Sequence, residues 1–323
     1  MRQDGVEIRA AVDPARLRRL VETLPAPRNR FLDPGAMEAA DAMIHDAFVS
    51  HGWQAELRPF TASHPAGTRT HILPGVNIVA TKDGASSEAV VVVAHHDTVP
   101  GSGGADDNGS GVAGLIELAR LLAPMRLRRT VVLAAVDHEE LGFVGSRQLV
   151  RQLMAERRVA GVFVFEMLAY RDRTPGSQRV PGGLGVIYPR LVRRLRARGL
   201  RGDFTAVIYR RTSQPLAAAF VEALRRLAGD HAAVPVRAPG DVPLLGPVLA
   251  RTVPLVRDFV RSDHVAFWEV GLPAVQITDT ANFRNPHYHL AGDTPDTLDY
   301  EQLADVVAAT TLAVAHIAES LSS

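Results

Sequence analysis

Residues 89–111 read "AVVVVAHHDTVPGSGGADDNGSG". The first six form an unbroken run of valine and alanine, which predicts a strand buried on both faces of a parallel sheet. The run ends directly in His-His-Asp at 95–97, and a glycine-rich loop then carries Asp106 and Asp107. Because clustered carboxylates repel one another and glycine loses backbone entropy on ordering, the segment indicates a bound cation or phosphate.

Other apolar runs also end in ionisable residues. "RRTVVLAAVD" (128–137) continues into His-Glu-Glu at 138–140, and "VAGVFVFE" (159–166) ends in a glutamate. "PAVQITD" (273–279) leads on to "NPHYHLAGDT" (285–294). Ligands of open α/β sheets bind at the carboxyl ends of the strands. We therefore expect four strands to deliver His, Asp and Glu side chains to one edge of the sheet.

Strands and helices alternate along most of the chain. Besides the strands above, the patterns predict strands at 55–60, 76–81 and 205–209, and helices from Pro14, around 37–48, and at 112–122, 145–158, 213–229 and 300–320. This order predicts an α/β fold of three layers, with a mainly parallel mixed sheet and helices on both faces. We expect a single domain over residues 1–323, with a variable excursion over the sheet edge at about 171–260.

Composition narrows the chemistry of the site. The 323 residues are 46% hydrophobic and carry 36 basic against 35 acidic side chains, so a net charge of +1 favours neither nucleic acid nor an acidic membrane as partner. The chain has no cysteine, which excludes disulfides, thiolate ligands and a cysteine nucleophile. A metal would have to bind His, Asp and Glu, and this donor set suits zinc.

Phosphate-binding loops and other metal motifs do not match. A dinucleotide loop needs a third glycine where this chain has Asp106, and a P-loop needs a lysine that the segment lacks. The zincin motif H-E-x-x-H fails because residue 142 is glycine. The glycines therefore predict a tight turn that directs a carboxylate towards a metal, and we expect Asp106 rather than Asp107 to be that carboxylate.

The N-terminal stretch "MRQDGVEIRAAVDPARLRRL" lacks the apolar core of a signal peptide. No apolar run approaches the roughly 20 residues of a membrane-spanning helix. These features predict a cytoplasmic protein without a membrane partner. The oligomeric state stays open.

Three segments, "HHDTVPGSGGADDNGSGVAG", "DHEELGFVGS" and "SDHVAFWEVGLPAVQITD…NPHYHLAGDTPDTLDYE", resemble the zinc peptidases of the M28 type. That family includes aminopeptidases, glutamate carboxypeptidases and glutaminyl cyclases. The resemblance covers about 76–169 and 262–305, and it implies the zinc-exopeptidase type of α/β fold with two neighbouring Zn²⁺ ions.

The resemblance also implies a role for each matching residue. The metal ligands would be His95, Asp106 as the bridging carboxylate, Glu140, Glu166 and His289, with His289 favoured over His287. Glu139 would be the general base, Tyr288 would help to stabilise the oxyanion, and Asp97 would orient His95. Asp107 and Asp263 would support the site. Glu166 stands where aspartate is more usual, so occupancy of the second metal position is left open.

These observations predict a zinc-dependent exopeptidase, most simply an aminopeptidase acting on short peptide substrates. One alternative is a glutaminyl-cyclase-like aminoacyltransferase with a single zinc, and another is a carboxypeptidase of the same family. A non-catalytic binding module is disfavoured because Glu139 and all the candidate ligands are present. The arginine-rich stretch "PRLVRRLRARGLRGDF" (189–204) predicts an amphipathic helix with a solvated basic face rather than an RNA-binding surface.

Overall fold

The computed structural model describes residues 2–66, 69–241, 248 and 251–319. Within these residues the strands are β1 (Gln54–Ala66), β2 (Arg69–Lys82), β3 (Ser86–His95), β4 (Arg129–Val136), β5 (Val159–Glu166), β6 (Thr205–Tyr209), β7 (Ala233–Arg237) and β8 (Ala274–Thr278). They form one sheet in the order β1-β2-β4-β3-β5-β8-β6-β7. The pairs β3–β4, β3–β5, β5–β8 and β6–β7 are parallel, and the others are antiparallel.

Helices lie on both faces of this sheet. Over the same residues they are α1 (Arg2–Ala11), α2 (Pro14–Thr23), α3 (Pro34–Ser50), α4 (Gly111–Leu122), α5 (Val144–Glu156), α6 (Leu184–Ile187), α7 (Pro189–Ala197), α8 (Gln214–Ala228), α9 (Pro254–Arg257), α10 (His264–Glu269) and α11 (Tyr300–Glu319). The predicted α/β class with a mainly parallel mixed sheet is confirmed. None of the helices in this described part of the chain has the length and apolarity that a membrane-spanning helix requires.

The valine run in β3 explains why the sheet centre is apolar on both sides. Val90 and Val92 belong to the core beneath α4, α8 and α11. Val91 and Val93 belong to the core on the opposite face, with residues of α5 and α10. Successive side chains of a strand point to opposite faces, so a strand between two helical layers needs apolar residues at every position.

The region 171–260 differs from the expected excursion over the sheet edge. Its strands β6 and β7 extend the sheet itself, because β6 pairs with β8 from Ala206–Thr278 to Tyr209–Val275. The patterns did not predict β7, which contains Pro235 and is the last strand of the sheet. Proline lacks a backbone N–H and is tolerated in edge strands, where no further strand needs that donor. Residues 242–247, 249 and 250 lie outside the described residues.

A tight contact beside the end of β4 gives a test of the fold. A β-carbon at Gly145 would lie 2.1 Å from the carbonyl oxygen of Asp137 and 2.7 Å from Asn77 Oδ1. We expect Gly145→Ala to lower the free energy of unfolding by about 1–3 kcal/mol, as overpacking typically does. Urea denaturation would measure this. Gly182→Ala is the matched control, since a β-carbon there meets nothing within 4 Å; equal losses in both variants would contradict the packing described.

Candidate metal centre

Strand ends bring the candidate ligands together at the carboxyl edge of the sheet. His95 is the last residue of β3, Glu166 is the last residue of β5, and Glu140 follows β4. His289 lies in the segment after β8. The predicted convergence at one edge is therefore what the structure shows.

Two groups of potential ligands share one carboxylate. The first is His95, Asp107 and Glu166, and the second is Asp107, Glu140 and His289; in each group the ligand atoms lie within 4.8 Å of one another. His95 Nε2 is 3.2 Å from Asp107 Oδ1, and His289 Nε2 is 3.2 Å from Asp107 Oδ2. The two carboxylate oxygens of Asp107 thus face different histidines, as expected of a residue that joins two cation sites.

Asp107, and not the predicted Asp106, lies in both groups of potential ligands, so the structure contradicts the prediction that Asp106 joins them. Asp106 Oδ1 accepts a hydrogen bond from the Ala169 N–H at 3.0 Å, and its Oδ2 accepts one from Asn285 Nδ2 at 3.0 Å. The physical reason is the turn itself. Asp293 accepts the backbone N–H groups of Asp106 and Asp107, at 2.8 and 3.0 Å, and the two side chains point to different sides.

Asp97 supports both sides of the site. Its Oδ1 lies 3.5 Å from His95 Nδ1, while its backbone oxygen is 3.2 Å from the same nitrogen. Its carboxylate also accepts the backbone N–H groups of Glu139 and Glu140, at 3.1 and 3.2 Å. One residue therefore fixes the histidine ring and the adjacent glutamates, a typical arrangement for a residue behind metal ligands.

The donor atoms of the two groups fit a metal. Among the described residues, the buried atoms His95 Nε2, Asp107 Oδ1 and Glu140 Oε1 have no hydrogen-bond partner. A buried polar atom left unpaired costs about 1–3 kcal/mol, so these three atoms fit a site that binds a cation. Imidazole nitrogen and carboxylate oxygen are ligands that zinc accepts.

A neighbouring acidic group does not meet this criterion. Asp97, Asp137 and His138 also lie close together. Asp137 Oδ2, however, accepts from Arg30 Nε at 2.6 Å and from a backbone N–H at 3.1 Å, and His138 Nε2 is 2.9 Å from a backbone carbonyl. Their hydrogen bonds are satisfied, so this group anchors the end of β4 and is not a second metal candidate.

The pKa shifts of the ionisable groups also fit a bound cation. Burial, together with the nearby charge of Asp107, raises the pKa of Glu140 to about 9. Burial also raises the pKa of Glu139 well above its usual range, and the charge of Glu166 adds to the rise. Burial alone would lower the pKa of His95, but the charges of Glu139 and Glu166 raise it well above its ordinary value. Protons here substitute for positive charge that a bound cation would supply.

Tyr288 lies directly against a candidate ligand. Its ring stacks on that of His289, with centroids 3.7 Å apart. Its hydroxyl oxygen accepts a hydrogen bond from Arg261 Nη2 at 3.1 Å, while Arg261 Nη1 donates to Asn282 Oδ1 at 3.1 Å. Burial raises the pKa of Tyr288, which keeps the phenol protonated. The ring of His287 lies beside Tyr170 instead, outside the ligand groups.

Ser262 and Asp263 lie behind the first ligand group. The Ser262 hydroxyl donates to Glu166 Oε2 at 2.7 Å, and that oxygen is 3.6 Å from His95 Nε2. Asp263 immediately precedes α10 and is fully buried, and burial raises its pKa to about 7. Glu166, despite its longer side chain, lies close to His95 and Asp107 in the first group of potential ligands.

Several supporting residues could not be recognised from the sequence. Asn108 donates from Nδ2 to the Phe165 carbonyl at 2.9 Å and accepts from the Met167 N–H at 3.2 Å, which ties the glycine-rich loop to the end of β5. Asn285 and Asp293 stand in "NPHYHLAGDT", a segment that drew attention only for its histidines and tyrosine. Their contacts are set by tertiary structure and leave no local signal.

The profile of peptidase family M28 matches residues 77–234 and 246–314. Among curated relatives, the uncharacterised protein YfbL of Escherichia coli is 36% identical over 246 residues, which cover 72% of this chain and 68% of YfbL.

Solved structures share the fold at low sequence identity. An aminopeptidase from Aneurinibacillus sp. superposes with a TM-score of 0.71 and 16% identity over 98% of this chain and 96% of that one. A zinc aminopeptidase from Bacillus subtilis gives 0.69 and 14%, with 95% of each chain covered. The glutaminyl cyclase of Porphyromonas gingivalis gives 0.65 and 18%, with coverage of 92% and 95%.

The two adjacent aspartates should differ in metal binding. We expect Asp107→Asn to reduce the Zn²⁺ retained after dialysis, because both ligand groups lose a charged oxygen. Asp106→Asn is the matched control and should retain zinc close to the wild-type amount, since Asp106 faces Ala169 and Asn285. Elemental analysis of the folded variants would measure this. Loss of zinc in Asp106→Asn with normal retention in Asp107→Asn would refute the placement of these residues.

Proposed function

Because the chain belongs to peptidase family M28, we propose that it is a di-zinc aminopeptidase that acts on short peptides. The observation that carries this proposal is the pair of ligand groups joined at Asp107, with Glu139 beside them. Family membership supports a metal-dependent hydrolase of peptide bonds. The number of ions and the aminopeptidase specificity are the proposed part.

One Zn²⁺ ion would be held by His95, Asp107 and Glu166, and the other by Asp107, Glu140 and His289. When bound, zinc supplies Lewis acidity, which polarises a carbonyl and stabilises negative charge that develops on oxygen. The unpaired atoms of His95, Asp107 and Glu140 support this assignment. Asp97 holds the His95 ring through Nδ1, which leaves Nε2 directed towards the site.

Glu139 is the proposed general base. It groups with His95 and Glu140 but not with His289 and Asp107, so it lies beside the ligands without being required as one. In this scheme its carboxylate accepts a proton from the attacking water and then donates it to the nitrogen of the leaving amine. A carboxylate that lies beside the ligands and is not one of them can both accept a proton and return it.

Tyr288 is proposed to hold the oxygen of the attacked carbonyl. Its oxygen already accepts from Arg261, so its own O–H proton is available to donate to a substrate. Stacking on His289 keeps the ring in place, and preorganised donors of this kind stabilise developing charge without reorganising.

Substitution of the two adjacent glutamates should distinguish the general base from the metal ligand. We expect Glu139→Gln to keep metal and fold but to lose about 10²–10⁴-fold in kcat, the usual contribution of a general acid–base. Glu140→Gln should instead lose zinc, because Glu140 contacts His289 at 3.4 Å within the second ligand group. Kinetics together with metal content would decide. The opposite pattern, with zinc lost only in Glu139→Gln, would reverse the two roles.

A substrate panel tests the proposed function. It contains peptides with a free N-terminus, N-acetylated peptides, and peptides that begin with glutamine. We expect hydrolysis of free-amine peptides only, abolished by exhaustive chelation and restored by Zn²⁺. Cyclisation of N-terminal glutamine with release of ammonia would favour the glutaminyl-cyclase alternative. Cleavage of N-acetylated peptides from the C-terminus would favour a carboxypeptidase.

A further inference from the structure

A buried arginine lies against the glycine-rich loop that follows β3. Arg28 stands between α2 and α3 and is only 1% exposed. Its side chain donates to three backbone carbonyls: Nε to that of His96 at 2.7 Å, Nη2 to that of Gly104 at 2.6 Å, and Nη1 to that of Pro25 at 3.0 Å. One guanidinium group therefore connects the beginning of the loop with its end.

The two loop carbonyls adjoin candidate metal ligands. His96 directly follows His95, the ligand at the end of β3. Gly104 begins the turn that carries Asp107, and its carbonyl oxygen also accepts the Gly109 N–H at 3.1 Å, a bond that closes this turn. The guanidinium thus holds the chain directly after one ligand and at the base of the turn that carries the other.

The main chain of Arg28 fixes the same loop between these two points. Its N–H donates to Thr98 Oγ1 at 3.0 Å, and its carbonyl oxygen accepts the Thr98 N–H at 2.8 Å. Elsewhere in the loop, the Gly103 N–H donates to the Leu290 carbonyl at 3.2 Å. The loop is therefore held by Arg28 and by the segment that follows His289.

The loop needs such external contacts to keep two ligands together. His95 Nε2 and Asp107 Oδ1 lie 3.2 Å apart, although the whole loop separates the two residues along the chain. Gly101 and Gly104 have φ values of 80° and 63°, in the left-handed region. Glycine adopts this region readily but loses more conformational freedom on folding than any other residue. Contacts from outside the loop must therefore select one conformation.

Arg28 differs from a neighbouring arginine that forms ion pairs. Arg30 donates to Asp41 at 2.9 Å and to Asp137 at 2.6 Å, as a buried arginine usually does with carboxylates. Burial lowers the pKa of Arg28 to about 10, so its guanidinium remains charged at neutral pH. Its donors nevertheless go to carbonyls in three directions, which the planar fork of arginine can reach and the compact ammonium group of lysine cannot.

Building on the metal-binding part of the proposed function, we propose that Arg28 is a positioning residue, which holds His95 and Asp107 at the spacing that one Zn²⁺ ion requires. It acts through the carbonyls of His96 and Gly104, which fix the backbone beside each ligand. Loss of a residue that supports metal ligands typically weakens metal binding by roughly 10–100-fold.

The zinc affinity of the folded protein tests this role. Arg28→Lys keeps the positive charge but loses the fork of donors. We expect its Zn²⁺ dissociation constant, measured by competition with a chromophoric chelator, to rise by about 10–100-fold. A role in stability alone would lower the melting temperature without changing zinc affinity. An unchanged dissociation constant in the folded variant would therefore overturn the proposal.

Arg225→Lys is the matched control. Arg225 Nε and Nη2 also donate to a backbone carbonyl, that of Ala233, at 3.3 and 3.0 Å, but beside the edge strand β7. This variant should lose thermal stability and bind zinc with the wild-type dissociation constant. Equal weakening of zinc binding in both variants would assign the effect to general destabilisation and would overturn the proposal.

A second variant serves if Arg28→Lys does not fold. Thr98→Val removes the hydroxyl that accepts the Arg28 N–H while keeping nearly the same shape. We expect it to raise the Zn²⁺ dissociation constant by about 10-fold, the lower end of the range for supporting residues. Wild-type affinity in this variant would count against the proposal in the same way.

Failure of the proposed function and failure of this inference give different results. If the wild type binds zinc but hydrolyses no peptide, the aminopeptidase assignment fails, and the comparison of zinc affinities still decides about Arg28. If the wild type hydrolyses peptides and Arg28→Lys binds zinc normally, only this inference fails. If the wild type binds no zinc, both fail, because His95 and Asp107 would then have no metal to hold.

Discussion

The carboxylate of Asp107 contacts His95 and His289 at 3.2 Å each, and the rest of the site is arranged to hold it there. Asp293 accepts the backbone N–H of Asp107, and Asn108, the next residue, donates from Nδ2 to the Phe165 carbonyl at the end of β5. Burial alone would raise the pKa of Asp107, but the adjacent imidazoles of His289 and His95 outweigh burial and lower it. A buried carboxylate needs compensating positive charge, which a cation bound beside the two histidines would supply.

Holding the ligands in place requires unusual backbone at three positions. His138, Met167 and His289 have φ values of 56°, 51° and 61°. These lie in the left-handed region, which residues other than glycine rarely adopt. Such conformations cost on the order of 1–3 kcal/mol each and persist where surrounding contacts enforce them. The Met167 carbonyl, for example, accepts the Asp279 N–H at 2.7 Å, which joins the turn after β5 to the end of β8. Of the three residues, His138 and Met167 lie directly after β4 and β5, where the chain turns beside the candidate ligands.

The sequence predicted the centre of the fold better than its edge. Uninterrupted apolar runs such as β3 and β5 have one explanation, burial between two layers, and the charged residue at the end of each then falls at the carboxyl edge. The choice between Asp106 and Asp107 could not be made in this way. It depends on Asp293 and Asn285, which are more than 170 positions away along the chain. Strand β7 escaped prediction because Pro235 is acceptable only in a strand that has no further neighbour.

The candidate ligands and the cavity beside them are built from different parts of the sheet. His95 and Glu166 are the last residues of β3 and β5, and Glu140 follows β4; β3 lies between the other two strands and pairs in parallel with both. A cavity of about 120 Å³ beside Tyr288 is lined largely by the shorter elements β6, β7, α6 and α7, together with Gln276 and Thr278 of β8. Rigid central strands suit a group of ligands whose spacing must not vary, since small displacements weaken metal binding and catalysis. The edge can change its side chains without disturbing those ligands, so the shape of the cavity can be altered while the metal centre stays intact.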